Sequence, residues 1–84
     1  MALVFWLSSS VEMDVRRIVG ENLRQYRLSA KLSQEEMAAR MGVEQSYLSG
    51  LEAGRRNPTI VSIYELATAL GISHMELVRP TEGQ

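Results

Sequence analysis

Three glycines, Gly42, Gly54 and Gly71, each close a run of only two to three helical turns, at the place where a chain most readily enters the left-handed conformation that ends a helix. Starts are marked as regularly as stops. Ser9-x-x-Glu12, Ser33-x-x-Glu36 and Ser73-x-x-Glu76 each have the capping-box pattern, in which the serine oxygen accepts an orphan amide and the glutamate reaches back to the serine N–H. Thr59 opens a further apolar run. Such punctuation leaves room for short helices only, and no segment alternates as a strand would, unless the opening "ALVFWL" becomes one.

The predicted elements follow from these marks. Ile18, Val19, Leu23, Tyr26 and Arg27 recur at spacings of three and four, predicting one long helix from about Glu12 to Ala30, broken at Lys31-Leu32. A second helix, Gln34–Met41, turns Met37, Ala38 and Met41 inward and stops at Gly42, with Val43 filling the turn. A third runs from about Gln45 to Ala53 on Leu48 and Leu51. The fourth, capped by Thr59, carries Ile60, Ile63, Leu66, Ala67 and Leu70, and a short fifth, His74–Val78, is stopped by Pro80. The chain divides into an apolar N-terminal arm (1–11), an all-α domain of five helices (12–79) and a short tail (80–84).

Composition narrows the chemistry. A chain of 84 residues buries only about 60% of its unfolded surface, so one efficiently packed domain is expected. Without cysteine there is no disulfide framework, zinc finger or thiol nucleophile. His74, the only histidine, lies beside a helix cap and reads as surface; no glycine-rich phosphate loop is present, and the serines and carboxylates are accounted for by caps and exposed faces. No catalytic, metal or cofactor site is expected. Net charge is −1, yet residues 16–56 hold eight of the nine Arg and Lys against five acids, so a +3 segment sits between ends that together carry −4. One side can therefore be modestly positive.

The arm's apolar run, Ala2–Leu7, is too short to span a bilayer and no basic residue precedes it as in a secretory signal, so a cytoplasmic protein without a membrane partner is expected. Three readings of the arm stay open: an extension ahead of a second possible initiator at Met13, a segment packed on its own core, or one packed on a partner. Val4, Phe5, Trp6 and Leu7 left in water would invite aggregation, which favours packing.

The third helix has an unusual outer face. Where a surface helix normally carries long charged residues, this one offers Gln45, Ser46, Ser49 and a glycine. Short donors and acceptors suit the reading of base edges, whereas long cations bind phosphate without discrimination. Helices 34–41 and 45–53, joined by Gly42-Val43-Glu44, have the helix-turn-helix arrangement.

At "LSQEEMAARMGVEQSYLSGLEAGRRNPTIVSIYELATALGISHMEL" the chain resembles the Cro/C1-type (XRE) family of helix-turn-helix regulators, over about residues 16–78. The resemblance implies a lambda-repressor-like fold and a sequence-specific regulator of transcription that inserts its third helix into the major groove of double-stranded DNA. It places Gln45, Ser46, Ser49 and Gly50 at base edges, and Arg24, Gln34, Arg55, Arg56 and Asn57 at phosphates. It makes Arg27 and Glu52 a partly buried ion pair, part of the scaffold and not of the readout. Gly50 and Glu44 depart from the family pattern: the first leaves a gap in the reading face, and the second brings a carboxylate near DNA, although a helix start suits it. Tyr47 is expected at the core edge with its hydroxyl wet. "YLSGLEAGRRNPTI" is similar to restriction-modification controllers.

One such domain rarely holds a site alone, so a homodimer on a palindromic operator is expected. Ile72, Met75 and Val78 are its candidate contacts, with Phe5 and Trp6 as an additional or alternative seam. No small-molecule effector is evident. The rival function is a protein-interaction module, an antitoxin or adaptor using the same helices.

Overall fold

The computed structural model describes the backbone of residues 2–80 and the side chains of residues 15–80. Its elements are α1 (Ala2–Ser29), α2 (Gln34–Met41), α3 (Gln45–Glu52), α4 (Ile60–Leu70) and α5 (His74–Val78). Every regular element among the described residues is a helix, as the punctuation predicts. No described helix is long and apolar enough to cross a membrane.

The local chemistry explains most boundaries. Ser33 Oγ accepts from the Glu36 amide at 3.0 Å while the Glu36 carboxylate accepts from the Ser33 amide at 2.9 Å, completing the capping box of α2. Gly42 ends that helix at φ +70°, and its amide and that of Val43 bond back to the last turn. Thr59 Oγ1 accepts from Ser62 N at 3.0 Å to open α4.

The box on α2 makes a pH prediction. The Ser33 backbone amide, and then its side chain, hold the Glu36 carboxyl below the ordinary glutamate range. A lowered folded pKa contributes stability that is complete above the unfolded value, about 4.3, and is lost as pH falls through the folded one. Glu36→Gln should therefore flatten the acid limb of the melting temperature below about pH 5, compared with the unmodified chain. Identical pH profiles would refute this role.

Two capping boxes do not form. α1 runs unbroken from Ala2, so Ser9 lies inside the helix, and the expected boundary between an arm and a helix beginning near Glu12 is absent from the backbone. Nothing in residues 2–11 stops a helix: there is no proline or glycine, and propagation from an established helix needs no new nucleus. Ser73 Oγ does cap α5, accepting from Met75 N at 3.2 Å, but Glu76 does not reach back. Its carboxylate is taken by the Tyr26 hydroxyl at 2.9 Å and by Arg79 at 3.0 Å.

α1 measures about 42 Å at 1.5 Å per residue, close to the longest dimension of the molecule, 44 Å. Its C-terminal half packs on α3 and α5; α2 packs on α3 and α4, and α4 on α5. Leu23, Met37, Leu48, Leu51, Leu66 and Leu77 are fully buried where these helices meet. Met41, Val43, Ile63 and Leu70 line the core half-buried, as their spacing predicts. Ile60 does not: it is 77% exposed. Val61 follows it at once, also exposed, at the open start of α4 before that helix meets the core.

Two contacts made by α1 were not visible in the periodicity. Gly20 lies against α3 so closely that a Cβ there would stand 2.5 Å from Leu51 O and 2.7 Å from Glu52 O. Asn22, 3% exposed, donates through Nδ2 to Leu77 O at 3.0 Å and Arg79 O at 2.8 Å, satisfying carbonyls at the end of α5 that have no helical partner.

Candidate nucleic-acid interface

α2 and α3 are joined by the three-residue turn Gly42–Glu44 and bury the facing residues Met37, Ala38, Leu48 and Leu51. Glu44 is the N-cap residue of α3 in extended conformation, without a side-chain cap bond. Burial of Leu48 and Leu51 turns the opposite face outward: Gln45 and Ser46 are exposed and Ser49 is half-buried. The uncharged ridge is thus present at the surface.

Gln45 is tethered. Its Nε2 donates to Gln34 Oε1 at 3.3 Å, and Gln34 Nε2 donates to Glu52 Oε1 at 3.1 Å. Glu52 in turn holds Arg27, accepting from Nε at 2.6 Å and from Nη2 at 3.0 Å, while Arg27 Nη1 donates to Leu32 O at 2.7 Å. The ion-paired side chains are only 8% and 5% exposed. The hydrogen bond that Arg27 donates to Glu52, opposed by burial, raises the guanidinium pKa above its ordinary value, so Arg27 stays charged. The pair is as expected, but its isolation from the reading face is not: Glu52 also anchors Gln34, which sequence spacing does not reveal.

Gly50 does not leave an open gap. It is buried, and a Cβ built there would lie 3.0 Å from Arg56 Cγ and 3.2 Å from its Nε. The Arg56 side chain occupies that notch and carries its guanidinium over the Tyr47 ring, 5.5 Å from the centroid. Any contact of Gly50 with a base requires Arg56 to move first. Tyr47 packs on the core edge as expected, and its hydroxyl donates to Ser62 Oγ at 3.3 Å.

Arg55, Arg56 and Asn57 are all exposed, and with Ser46, Tyr47 and Gly50 they line one depression between α3 and the loop that follows it. The structure thus brings candidate base-reading and phosphate-binding residues together. Gln34 stands half-buried at the first position of α2. Arg24 is exposed on α1, but the depression it borders lies toward the end of α5, with Tyr26, Glu76 and Arg79.

Of the candidate dimer contacts, Met75 and Val78 are 55% and 43% exposed, whereas Ile72 is half-buried and packed on the core. The side chains of Phe5 and Trp6 lie outside the described residues. Ile60, Val61 and Tyr64 on α4 form an exposed apolar set that the periodicity does not show. His74 is half-buried, its ring stacked on Tyr64 with centroids 4.2 Å apart. Among the described residues no three His, Cys, Asp or Glu side chains are grouped so as to hold a metal ion.

This arrangement of a turn-linked helix pair with an exposed polar second helix defines a helix-turn-helix protein. The helix-turn-helix family model HTH_3 matches residues 23–77, and the chain belongs to that family, the XRE-type group of DNA-binding transcriptional regulators. Among its relatives is an uncharacterized HTH-type transcriptional regulator of Sinorhizobium fredii, 57% identical over 70 residues that cover 83% of this chain and 91% of that protein. The crystal structure of the hypothetical transcription factor NHTF from Neisseria superposes with a TM-score of 0.79 at 34% identity, covering 84% of this chain and 82% of that one. The restriction-modification controller protein C.AhdI from Aeromonas hydrophila superposes with a TM-score of 0.70 at 44% identity, covering 74% and 94%.

Proposed function

We infer that this protein is a cytoplasmic, sequence-specific transcriptional regulator that lays α3 in the major groove of double-stranded DNA and binds a palindromic operator as a homodimer. The observation that carries the reading is the outward, uncharged face of Gln45, Ser46 and Ser49, with Gln45 tethered to Gln34, flanked by the exposed cations Arg55 and Arg56. Glutamine pairs with adenine N6 and N7, and serine serves either role. Arg55, Arg56 and Asn57 beside α3, with Gln34 at the start of α2, supply phosphate contacts that fix the register. Gly50 contributes space for the Arg56 stem more than a base contact.

Dimerisation is supported by the exposed apolar residues Met75 and Val78, joined by Ile60, Val61 and Tyr64. Similarity to a restriction-modification controller supports a regulatory role, with control through the protein's own concentration and dimerisation.

Selection from random duplex DNA tests the reading. A two-fold symmetric site is expected, with log affinity falling against log salt at a slope of about −7 to −9 for some eight to ten neutralised phosphates per dimer. Gln45→Ala should relax preference at one base pair per half-site by roughly 1–3 kcal/mol, and Arg56→Ala should weaken all sequences alike. Absence of any DNA selectivity, together with a stoichiometric protein partner, would replace this reading with the antitoxin or adaptor alternative.

A further inference from the structure

We propose that Arg17 on α1 is a further phosphate-binding residue, seated on Gly54 so that α1 lengthens the row of cations that follows the reading helix. The inference rests on the DNA-reading function above.

The seat is a glycine. Gly54 follows α3 at φ +74°, and a Cβ built there would stand 3.5 Å from Arg17 Cγ and 3.7 Å from its Cα. With no side chain in the way, the Arg17 stem lies over the backbone of the turn that leads into Arg55, Arg56 and Asn57. Both partners are fixed. The Gly54 amide donates to Leu51 O at 3.1 Å and the Arg55 amide to Gly50 O at 2.9 Å, which holds the turn to the end of α3. Gly20, three residues beyond Arg17, is pressed against Leu51 O and Glu52 O, so α1 cannot slide along that end. A stem laid on backbone has less rotamer freedom to lose when its head binds, while Arg17 as a whole stays exposed. Its neighbour Arg16 is half-buried and brings its carbonyl oxygen to Gly54.

Charge points the same way. From Ala53 to Thr59 the chain has two arginines and no acid, and Glu52 is taken up by Arg27 and Gln34. Glu21, on the next turn of α1, borders the depression toward α5. Arg17 therefore brings a third cation to an edge that is already positive, and a polyanion relieves the repulsion of like charges held together. Duplex DNA is a polyanion of matching shape: with α3 in the major groove, the strand that flanks α3 passes the loop after it, and arginine forks fit its phosphate oxygens. Phosphates carry no base identity, so Arg17 adds affinity and register without sequence preference.

Three variants test this. Arg17→Gln removes the charge and keeps a stem over Gly54, whereas Arg17→Lys keeps the charge. Arg40→Gln removes one charge from the groove between α2 and α4, where Met41, Val61 and Tyr64 lie, and controls for net charge. Affinity of the unmodified chain and of each variant is measured across a salt series, on the duplex recovered by binding selection and on an unrelated duplex of equal length.

Losing one phosphate contact per protomer should make the slope of log affinity against log salt shallower by about 1.8 per dimer in Arg17→Gln. The advantage of the unmodified chain over that variant should then shrink roughly tenfold between about 50 and 200 mM salt. Arg17→Lys and Arg40→Gln should keep the original slope. An unchanged slope in Arg17→Gln, or an equal change in Arg40→Gln, refutes the contact while DNA reading stands. If the unmodified chain does not distinguish the selected duplex from the unrelated one, the DNA-reading function fails and the contact with it.

Discussion

Glu52→Ala should lower the unfolding free energy by about 3–5 kcal/mol, the range seen when one partner of a buried ion pair is removed. The size of the effect comes from what is left behind. Arg27, 7% exposed, keeps its charge, and without Glu52 its guanidinium retains only the Leu32 carbonyl. Desolvation of a cation with one acceptor is poorly compensated. A domain of this size has roughly 4–12 kcal/mol in total, so the variant should sit near the unfolding threshold at 37 °C. Urea denaturation measures it directly. Replacing both partners, Arg27→Met with Glu52→Leu, should recover most of the loss, because no charge is then stranded. A loss under about 1 kcal/mol in the single variant would mean that water reaches the pair, against its observed burial.

Gly20→Ala is the second large effect. Alanine ordinarily stabilises a helix interior relative to glycine by about 0.5–1 kcal/mol. Here the sign should reverse. The new methyl would stand 2.5 Å and 2.7 Å from two backbone oxygens of α3, which cannot rotate aside as a flexible side chain can. α1 and α3 must separate, loosening Val19, Leu23 and Leu51, all buried within 1% exposure. A net destabilisation of about 2–3 kcal/mol is expected, within the range for overpacked cores, read as a lower urea midpoint with an unchanged denaturant slope. The same movement would shift Glu52 against Arg27, so Gly20→Ala and Glu52→Ala should be non-additive when combined. An alanine variant as stable as the parent would show that this crossing has slack.

The periodicity of α1 does not show its tightest contact, the close crossing with α3 at Gly20. An apolar stripe identifies a buried face, but glycine contributes no hydropathy to it. Asn22 was missed for the related reason that a polar residue on that face reads as an interruption until the unpaired end of α5 is seen lying across it. Gly50 was legible as an absence of side chain and misread as a gap, because nothing local says that Arg56 folds back to fill it.

Sequence alone determined the elements whose causes lie within one helical turn. The span of α2 follows from Ser33, Glu36 and Gly42, that of α5 from Ser73 and Pro80, and the outward ridge of α3 from the inward Leu48 and Leu51. Caps, stops and periodicity act over three or four residues, and those separations are written in the chain. Tertiary structure alone decided how Glu76 divides between Tyr26 and Arg79, and which way Gln34 and Gln45 point. A hydrogen bond is settled by whichever donor the packing brings within about 3 Å, and for these side chains that donor lies on another helix.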